Sequence, residues 1–472
     1  MTIFWYDYET FGANPYRDRP AQFAGVRTDE HLNILSEPVE FYCRPAPDYL
    51  PVPEACLVHG ISPIELLKKG VPASQFAAAI HAELSVPDTC SVGFNAIAFD
   101  HEITRFLLYR NLLDPYAWHY ENGCSRWDII DLLRAAYALK PDGINWPRRE
   151  DGAPSFRLED LARANGIIHE AAHDARSDIL TTVKVAALVK KTAPDLFAHY
   201  FRLRKKNNVF PFLRRPSLFV SSYIAAADGC TTLVAPVSGH PASGQGVIVY
   251  DLRRDPQSLA DLSSEELREL LFAKKADLPE GVERPPLFRI KANACPFLAH
   301  PRLADHNVQQ RLGLDLDLCR RNYKKLQQLL PSIEITVSDA YVRDWPKRDA
   351  DEALYDRFIP NADRALLHQL LTVDAWDGGC GPHAFSDPRL AELVFRYQAR
   401  NHGRSLSPER LAVWKAHCRS RHLTEDESGP CRLDRYERDI AALRVQRDGD
   451  VQVSRILDEL SLYGSSIRKW LA

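Results

Sequence analysis

A chain of 472 residues is long enough for about three domains with buried cores. Apolar residues at 45% and charged residues at 26% exclude a largely disordered, collagenous or disulfide-scaffold chain. Lys plus Arg number 60 against 63 Asp plus Glu, a net charge of -3, so a polyanionic partner must meet a local basic groove rather than a global positive field.

Ile3–Thr10 reads as a β-strand, and Gln22–Arg27 and Val39–Arg44 as two more, with the turn-forming Thr28-Asp29-Glu30 between them. Helical periodicity follows over Ser74–Leu84, His101–Arg110, Trp127–Leu139, Leu158–Asn165 and Ser177–Lys190. In the last of these, Ile179, Leu180, Val183, Ala186 and Ala187 recur at helical spacing. Strands first, then alternating strand and helix, indicate an α/β layer architecture. The pattern changes near Thr192-Ala193-Pro194. A helix over Asp195–Arg204 runs into the basic residues Arg202, Arg204, Lys205 and Lys206. Strand segments follow at Leu218–Ile224, Thr231–Val237, Val247–Leu252 and Leu287–Lys291, as in a small barrel, with helices at Ser263–Ala273 and Leu316–Leu330. From about Ala350 the chain reads as helices. Asp387-Pro388 supplies an N-cap and a first-turn proline, and Leu390, Leu393, Val394 and Tyr397 an apolar face.

The ten cysteines form no C-x-x-C pair, which argues for structural thiols in a reducing compartment rather than a zinc ribbon or redox dithiol. The N-terminus lacks the basic and apolar regions of a signal peptide. The uncharged stretch Gly229–Tyr250 is too broken by Gly, Pro and Ser to span a membrane. A cytoplasmic location without membrane contact is the expectation.

Asp7 and Glu9, two apart on the first strand, project from one face. Adjacent carboxylates repel unless a cation lies between them, and hard oxygen ligands favour Mg²⁺ or Mn²⁺ over zinc. Taken singly, each acidic motif also has an ordinary structural reading. Asp7 and Glu9 fit an acidic strand end, Asp100 an N-cap and Asp178 compensation of a helix dipole, while His173 fits a surface histidine.

The combination is more specific. Asp-x-Glu on a first strand, an Asp near the middle and His-x4-Asp before a last helix resemble the DnaQ-like (DEDDh) exonuclease superfamily. Asp7-Tyr8-Glu9-Thr10-Phe11-Gly12, Arg19-Pro20-Ala21-Gln22-Phe23-Ala24-Gly25, Pro154-Ser155-Phe156-Arg157-Leu158-Glu159 and Ala172-His173-Asp174-Ala175 further resemble the bacterial exodeoxyribonuclease I family. So do Leu354-Tyr355, Asp363-Arg364 and Phe395–Asn401, which extend the likeness over essentially the whole chain. Departures concentrate at Trp376–Pro382 and leave the catalytic set intact.

The resemblance implies a ribonuclease H-like α/β exonuclease domain (1–193), an SH3-like β-barrel domain (194–347) and a C-terminal helical domain (348–472). It also implies processive 3′-to-5′ hydrolysis of single-stranded DNA to 5′-mononucleotides, in DNA repair and recombination. Asp7, Glu9, Asp100 and Asp178 would hold two Mg²⁺ ions, with Mn²⁺ as an alternative, and His173 would act as general base. Implied substrate contacts are Glu9, Phe11 (a wedge under the terminal base), Arg105, Tyr116, Tyr120 and Arg157, the last one step before a helix capped by Ser155. Trp118 and Arg126 belong to the same aromatic and basic cluster, while Arg202–Lys206 and Arg214-Arg215 are candidates to line the groove. Arg311, Arg320, Arg321 and Lys324 are candidates for the acidic tail of single-strand DNA-binding protein. A monomer is expected. Competing readings are a DnaQ-like ribonuclease or proofreading exonuclease, and a catalytically silent nucleic-acid-binding scaffold.

Overall fold

The central strand is β1, Thr2–Thr10. Its Ile3–Tyr6 run is fully buried; from there the pattern alternates, with Tyr8 and Thr10 buried and Asp7 and Glu9 partly exposed. β2 (Pro20–Thr28) pairs antiparallel with β1, β3 (Val39–Tyr42) antiparallel with β2, and β4 (Thr89–Gly93) parallel with β1. The order is therefore β3-β2-β1-β4. The ladder to β4 ends at Trp5↔Val92, so Asp7 and Glu9 extend beyond it at the carboxyl end of the parallel pair, where α/β sheets open a crevice. Gly93 permits the close approach there, since a Cβ would lie 2.9 Å from the Tyr6 carbonyl oxygen and 2.7 Å from Ala96 Cβ.

The computed structural model describes residues 1–168, 174–239, 246–342, 348–372, 385–425, 431–447 and 449–472. Two units divide it. The first joins Met1–Ser125, Glu170–Leu180 and Lys347–Ala472; the second joins Arg126–His169 and Thr181–Pro346.

In the first unit, Phe4, Tyr6, Tyr8 and Phe23 from the sheet bury against Phe76, Ile80, Ile103 and Leu107 of the helices Ala73–Leu84 and Asp100–Arg110. Phe106 and Tyr109 of the second of these helices continue into an apolar cluster with Leu390, Leu393 and Tyr397 of the Pro388–Asn401 helix. The C-terminal helices thus share cores with the sheet domain. Asp387 caps the Pro388–Asn401 helix by accepting the Arg389 N–H, with Pro388 next, as the sequence signature requires.

The second unit holds an antiparallel sheet of β6 (Ser217–Val220), β7 (Thr231–Gly239), β8 (Val247–Asp251), β9 (Leu287–Ile290) and β10 (Phe297–Ala299), ordered β10-β6-β7-β8-β9. Three features differ from expectation. Trp127 lies on a short strand, β5 (Ser125–Asp128), and its helix begins only at Ile130. β4 and β10 were not marked by alternation, because their side chains are buried on both faces. The Leu316–Ala340 helix runs through Pro331, which sits on its exposed side and gives up one backbone hydrogen bond without ending the helix. Among the described residues the cysteines are all buried free thiols, and no helix is long and apolar enough to cross a membrane.

Candidate active site

Asp7 and Glu9 leave the same face of β1 while Tyr6 and Tyr8 fill the core on the other. The Ala175–Thr192 helix starts at Asp174, whose Oδ2 accepts the Ser177 N–H at 3.2 Å and whose carbonyl accepts the Asp178 N–H at 3.0 Å. One turn into that helix, Asp178 reaches the strand. Ligand atoms of Asp7, Glu9 and Asp178 lie within 4.8 Å of one another.

Asp100 stands beside this trio without joining it at that distance. It is the first residue of its helix rather than the N-cap, a position held by Phe99. Its Oδ1 accepts the Tyr8 N–H at 3.3 Å, and its carbonyl accepts Thr104 Oγ1 at 2.8 Å. Thr104 in turn bonds the Tyr8 hydroxyl at 3.1 Å. The fourth carboxylate is thereby tied to the strand that carries the first two.

The electrostatics report the crowding. Burial first, then Asp100, Glu9 and Asp178, push Asp7 well above the ordinary carboxylate range. Burial, then Asp178 and Asp100, push Glu9 up to about 9. Asp174, which the sequence reading passed over, adds to both shifts. Its signal was available as an acidic residue directly before a helical run. Carboxylates gathered with such protonation tendencies and no nearby cationic side chain among the causes fit a divalent cation as missing partner. His173 lies outside the described residues.

The expected DNA contacts divide. Tyr120 is 55% exposed, with the His119 ring edge-on to it at 5.7 Å. Arg105 is buried: its guanidinium donates to Glu102 Oε1 at 2.8 Å and the Tyr355 hydroxyl at 3.0 Å, and lies 5.4 Å from the Tyr116 ring centroid. Tyr116 makes edge contacts with His119 and with the exposed Phe358. Arg157 keeps an exposed side chain paired with Glu159 at 2.8 Å. It occupies the N-cap position itself, while Ser155 donates instead to Asp160 at 2.6 Å.

Several expectations are corrected. The Phe11 ring has 0% exposure and packs with Tyr49, Cys56, Leu433 and Leu460, so it presents no face to a base. The residue after the strand end turns inward because the C-terminal helices cover it. Trp118 is also core, its indole N–H donating to the Pro115 carbonyl at 3.1 Å. Buried Arg126 donates to the Asn293 carbonyl at 2.8 Å, a link within the second unit. Arg204 stacks over Phe201 at 3.8 Å. Arg311 donates to the carbonyls of Tyr137 and Ala138 at 2.8 and 2.6 Å, Arg320 pairs with exposed Asp317, and Arg321 and Lys324 are exposed.

Comparison with known proteins agrees along the whole chain. Residues 4–186 match the family described as Exonuclease, 204–343 the Exonuclease I SH3-like domain and 348–467 the Exonuclease I C-terminal domain. Exodeoxyribonuclease I of Haemophilus influenzae is 43% identical over 88% of this chain and 89% of its own length. The Escherichia coli enzyme is 39% identical over 99% of this chain and 98% of its own. The solved E. coli exonuclease I in complex with a dA16 oligonucleotide is 38% identical with a TM-score of 0.92, covering 99% of each chain. A zinc-bound E. coli ExoI–ssDNA complex (38%, TM-score 0.92) and an ExoI/SSB-Ct complex (38%, TM-score 0.90) each cover 99% of both chains. The sheet, the barrel and the terminal helices are accordingly a ribonuclease H-like exonuclease domain, an SH3-like domain and a helical domain, and the chain belongs to the exodeoxyribonuclease I family.

Proposed function

We propose that this chain is a divalent-metal-dependent 3′-to-5′ exonuclease that removes 5′-mononucleotides processively from single-stranded DNA, acting in DNA repair and recombination. The observation that carries the reading is the meeting of Asp7, Glu9 and Asp178 within 4.8 Å, in a chain that matches exodeoxyribonuclease I over its full length. Asp100, aligned by the Tyr8 N–H, completes the acidic set. An all-carboxylate donor set suits Mg²⁺, with Mn²⁺ as substitute. When bound, two such ions neutralise charge on the scissile phosphate and acidify the attacking water. His173 takes the attacking water's proton, histidine being the side-chain type suited to general-base work near neutral pH.

Tyr116 and Tyr120 stack on the strand, Arg105 anchors that aromatic surface, and Arg157, largely exposed beside its partner Glu159, is available to a phosphate. Stacking and phosphate pairing tolerate any base, which suits processive digestion. The C-terminal tail of single-strand DNA-binding protein is the protein partner, met by Arg320, Arg321 and Lys324 rather than by Arg311, which is held on backbone carbonyls. The protein works as a cytoplasmic monomer, with domain limits at 193/194 and 347/348.

The test is a digestion assay on end-labelled single-stranded DNA, duplex DNA and RNA, each with Mg²⁺ or EDTA. Metal-dependent mononucleotide release from the 3′ end of single-stranded DNA is expected. Faster RNA loss would transfer the reading to a ribonuclease, and binding without cleavage to a scaffold. In the same assay His173→Ala is expected to keep metal and DNA binding while losing about 10²–10⁴-fold in turnover.

A further inference from the structure

Gln22 faces Glu9 directly across the β1–β2 ladder and is 2% exposed. Its amide nitrogen has three acceptors around it: Glu40 Oε1 at 2.5 Å, Asp174 Oδ1 at 3.3 Å and the Tyr42 hydroxyl oxygen at 3.3 Å. Tyr42 itself donates to Glu40 Oε1 at 2.6 Å. The Gln22 amide oxygen, by contrast, is buried with no hydrogen-bond partner among the described residues. A buried acceptor left unmade costs stability, and an unbranched apolar side chain of the same length would avoid that cost. Packing therefore does not explain an amide here.

What an amide supplies at this point is a neutral donor among acidic groups. A carboxylate would add charge beside Asp174 and Glu40, and an apolar group would donate nothing. The acceptor that matters is Asp174, because its other oxygen and its carbonyl start the helix that delivers Asp178. Asp178 follows Asp174 by four residues, about one turn, so a shift of the cap carries it along rigidly. We propose that Gln22 is a positioning residue: its amide ties the Asp174 cap to the strand pair bearing Glu9, and so registers Asp178 against Asp7 and Glu9.

This inference rests on the nuclease reading above, and wild-type activity in the same assay separates the failure of one from the failure of the other. The variants are Gln22→Met, which keeps length and removes the donor, and Asp174→Asn, whose single side-chain oxygen can take the Ser177 N–H or the Gln22 amide but not each on its own oxygen as the carboxylate does. Gln22→Met is expected to melt at or above the wild-type temperature in EDTA. It should lose at least about tenfold in kcat and weaken Mn²⁺ binding, read by electron paramagnetic resonance without DNA, by several-fold. KM for single-stranded DNA should stay within about twofold, since uniform substrate binding is untouched. Asp174→Asn should lose kcat and Mn²⁺ affinity in the same direction as Gln22→Met, because its side-chain nitrogen meets one of those two donors. Two outcomes overturn the proposal. One is Gln22→Met with kcat and Mn²⁺ affinity within about twofold of wild type; the other is a loss of kcat that merely follows a lowered melting temperature.

Discussion

Two charged clusters of the first unit are opposites. Around Asp48 and Asp351, both with side chains at most 1% exposed, stand Arg19, Arg396, Arg400 and Arg421. Arg400 donates to Asp48 at 2.6 Å and to Asp351 at 2.9 Å, Arg396 reaches Asp351 at 3.0 Å, and Arg421 lies 3.2 Å from each carboxylate. Burial works to raise both carboxyls, but Arg400 and its neighbours hold them well below their usual range. Around Asp7 and Glu9 the neighbours are other carboxylates, and the shift runs upward. Charge that the chain balances itself joins segments: here it ties Asp48 and the strand-end loop carrying Arg19 to the C-terminal helices. Charge left unbalanced asks for a ligand from outside. The difference between scaffold and site is legible in the sign of the neighbours.

The contrast breaks most sharply by removing one charge from each cluster. Asp7→Asn is expected to lower nucleotide release about a thousandfold, several kcal/mol of lost metal-assisted stabilisation. The same variant should melt no lower than wild type in EDTA, because a repulsion has gone; residual activity within tenfold would unseat Asp7 as a ligand. Asp351→Ala strands several buried guanidiniums and is expected to cost about 3–5 kcal/mol in urea unfolding, with or without metal. A loss below about 1 kcal/mol would mean the network is not what joins these segments.

Acidity sharpens the comparison further. Glu9 holds its proton in the metal-free fold up to about 9, against an ordinary value of 4.5. Between those limits the folded state binds more protons than the unfolded one, so metal-free stability falls as pH rises. Saturating Mg²⁺ should flatten that slope, because bound carboxylates are already ionised. Asp48 and Asp351 carry the opposite sign: their contribution is present above the ordinary range and disappears as pH falls through their lowered values. Melting curves from pH 5 to 9 with EDTA or Mg²⁺ test the first, and a series carried below the ordinary carboxylate value of 3.8 tests the second; a metal-free curve flat from pH 5 to 9 would contradict the assigned crowding. The smallest effect belongs to Arg157→Ala. Its side chain is 70% exposed, so stability should move by less than about 0.5 kcal/mol while KM for single-stranded DNA rises a few-fold. An unchanged KM in steady-state digestion would remove Arg157 from the DNA path.

Much of this was readable from local pattern. Period-two alternation located Asp7 and Glu9 on one face, and the Asp387-Pro388 signature located a helix start. Segments buried on both faces were harder, because β4 and β10 offer no alternation to read. Pro331 misled for a related reason: proline weakens one hydrogen bond, and a helix long enough elsewhere absorbs the loss.

Residue types, their spacing and strand or helix period were enough to single out the acidic set and to suggest its cation, since charge and side-chain direction are local properties. Which aromatic and basic residues face solvent was not a local matter. Phe11, Trp118 and Arg126 turned inward because segments far away in sequence pack over them, and Gln22 met Asp174 only through the pairing of strands with a helix that begins some 150 residues later. Burial and convergence are set by what the rest of the chain places alongside, and no window of neighbouring residues contains that information.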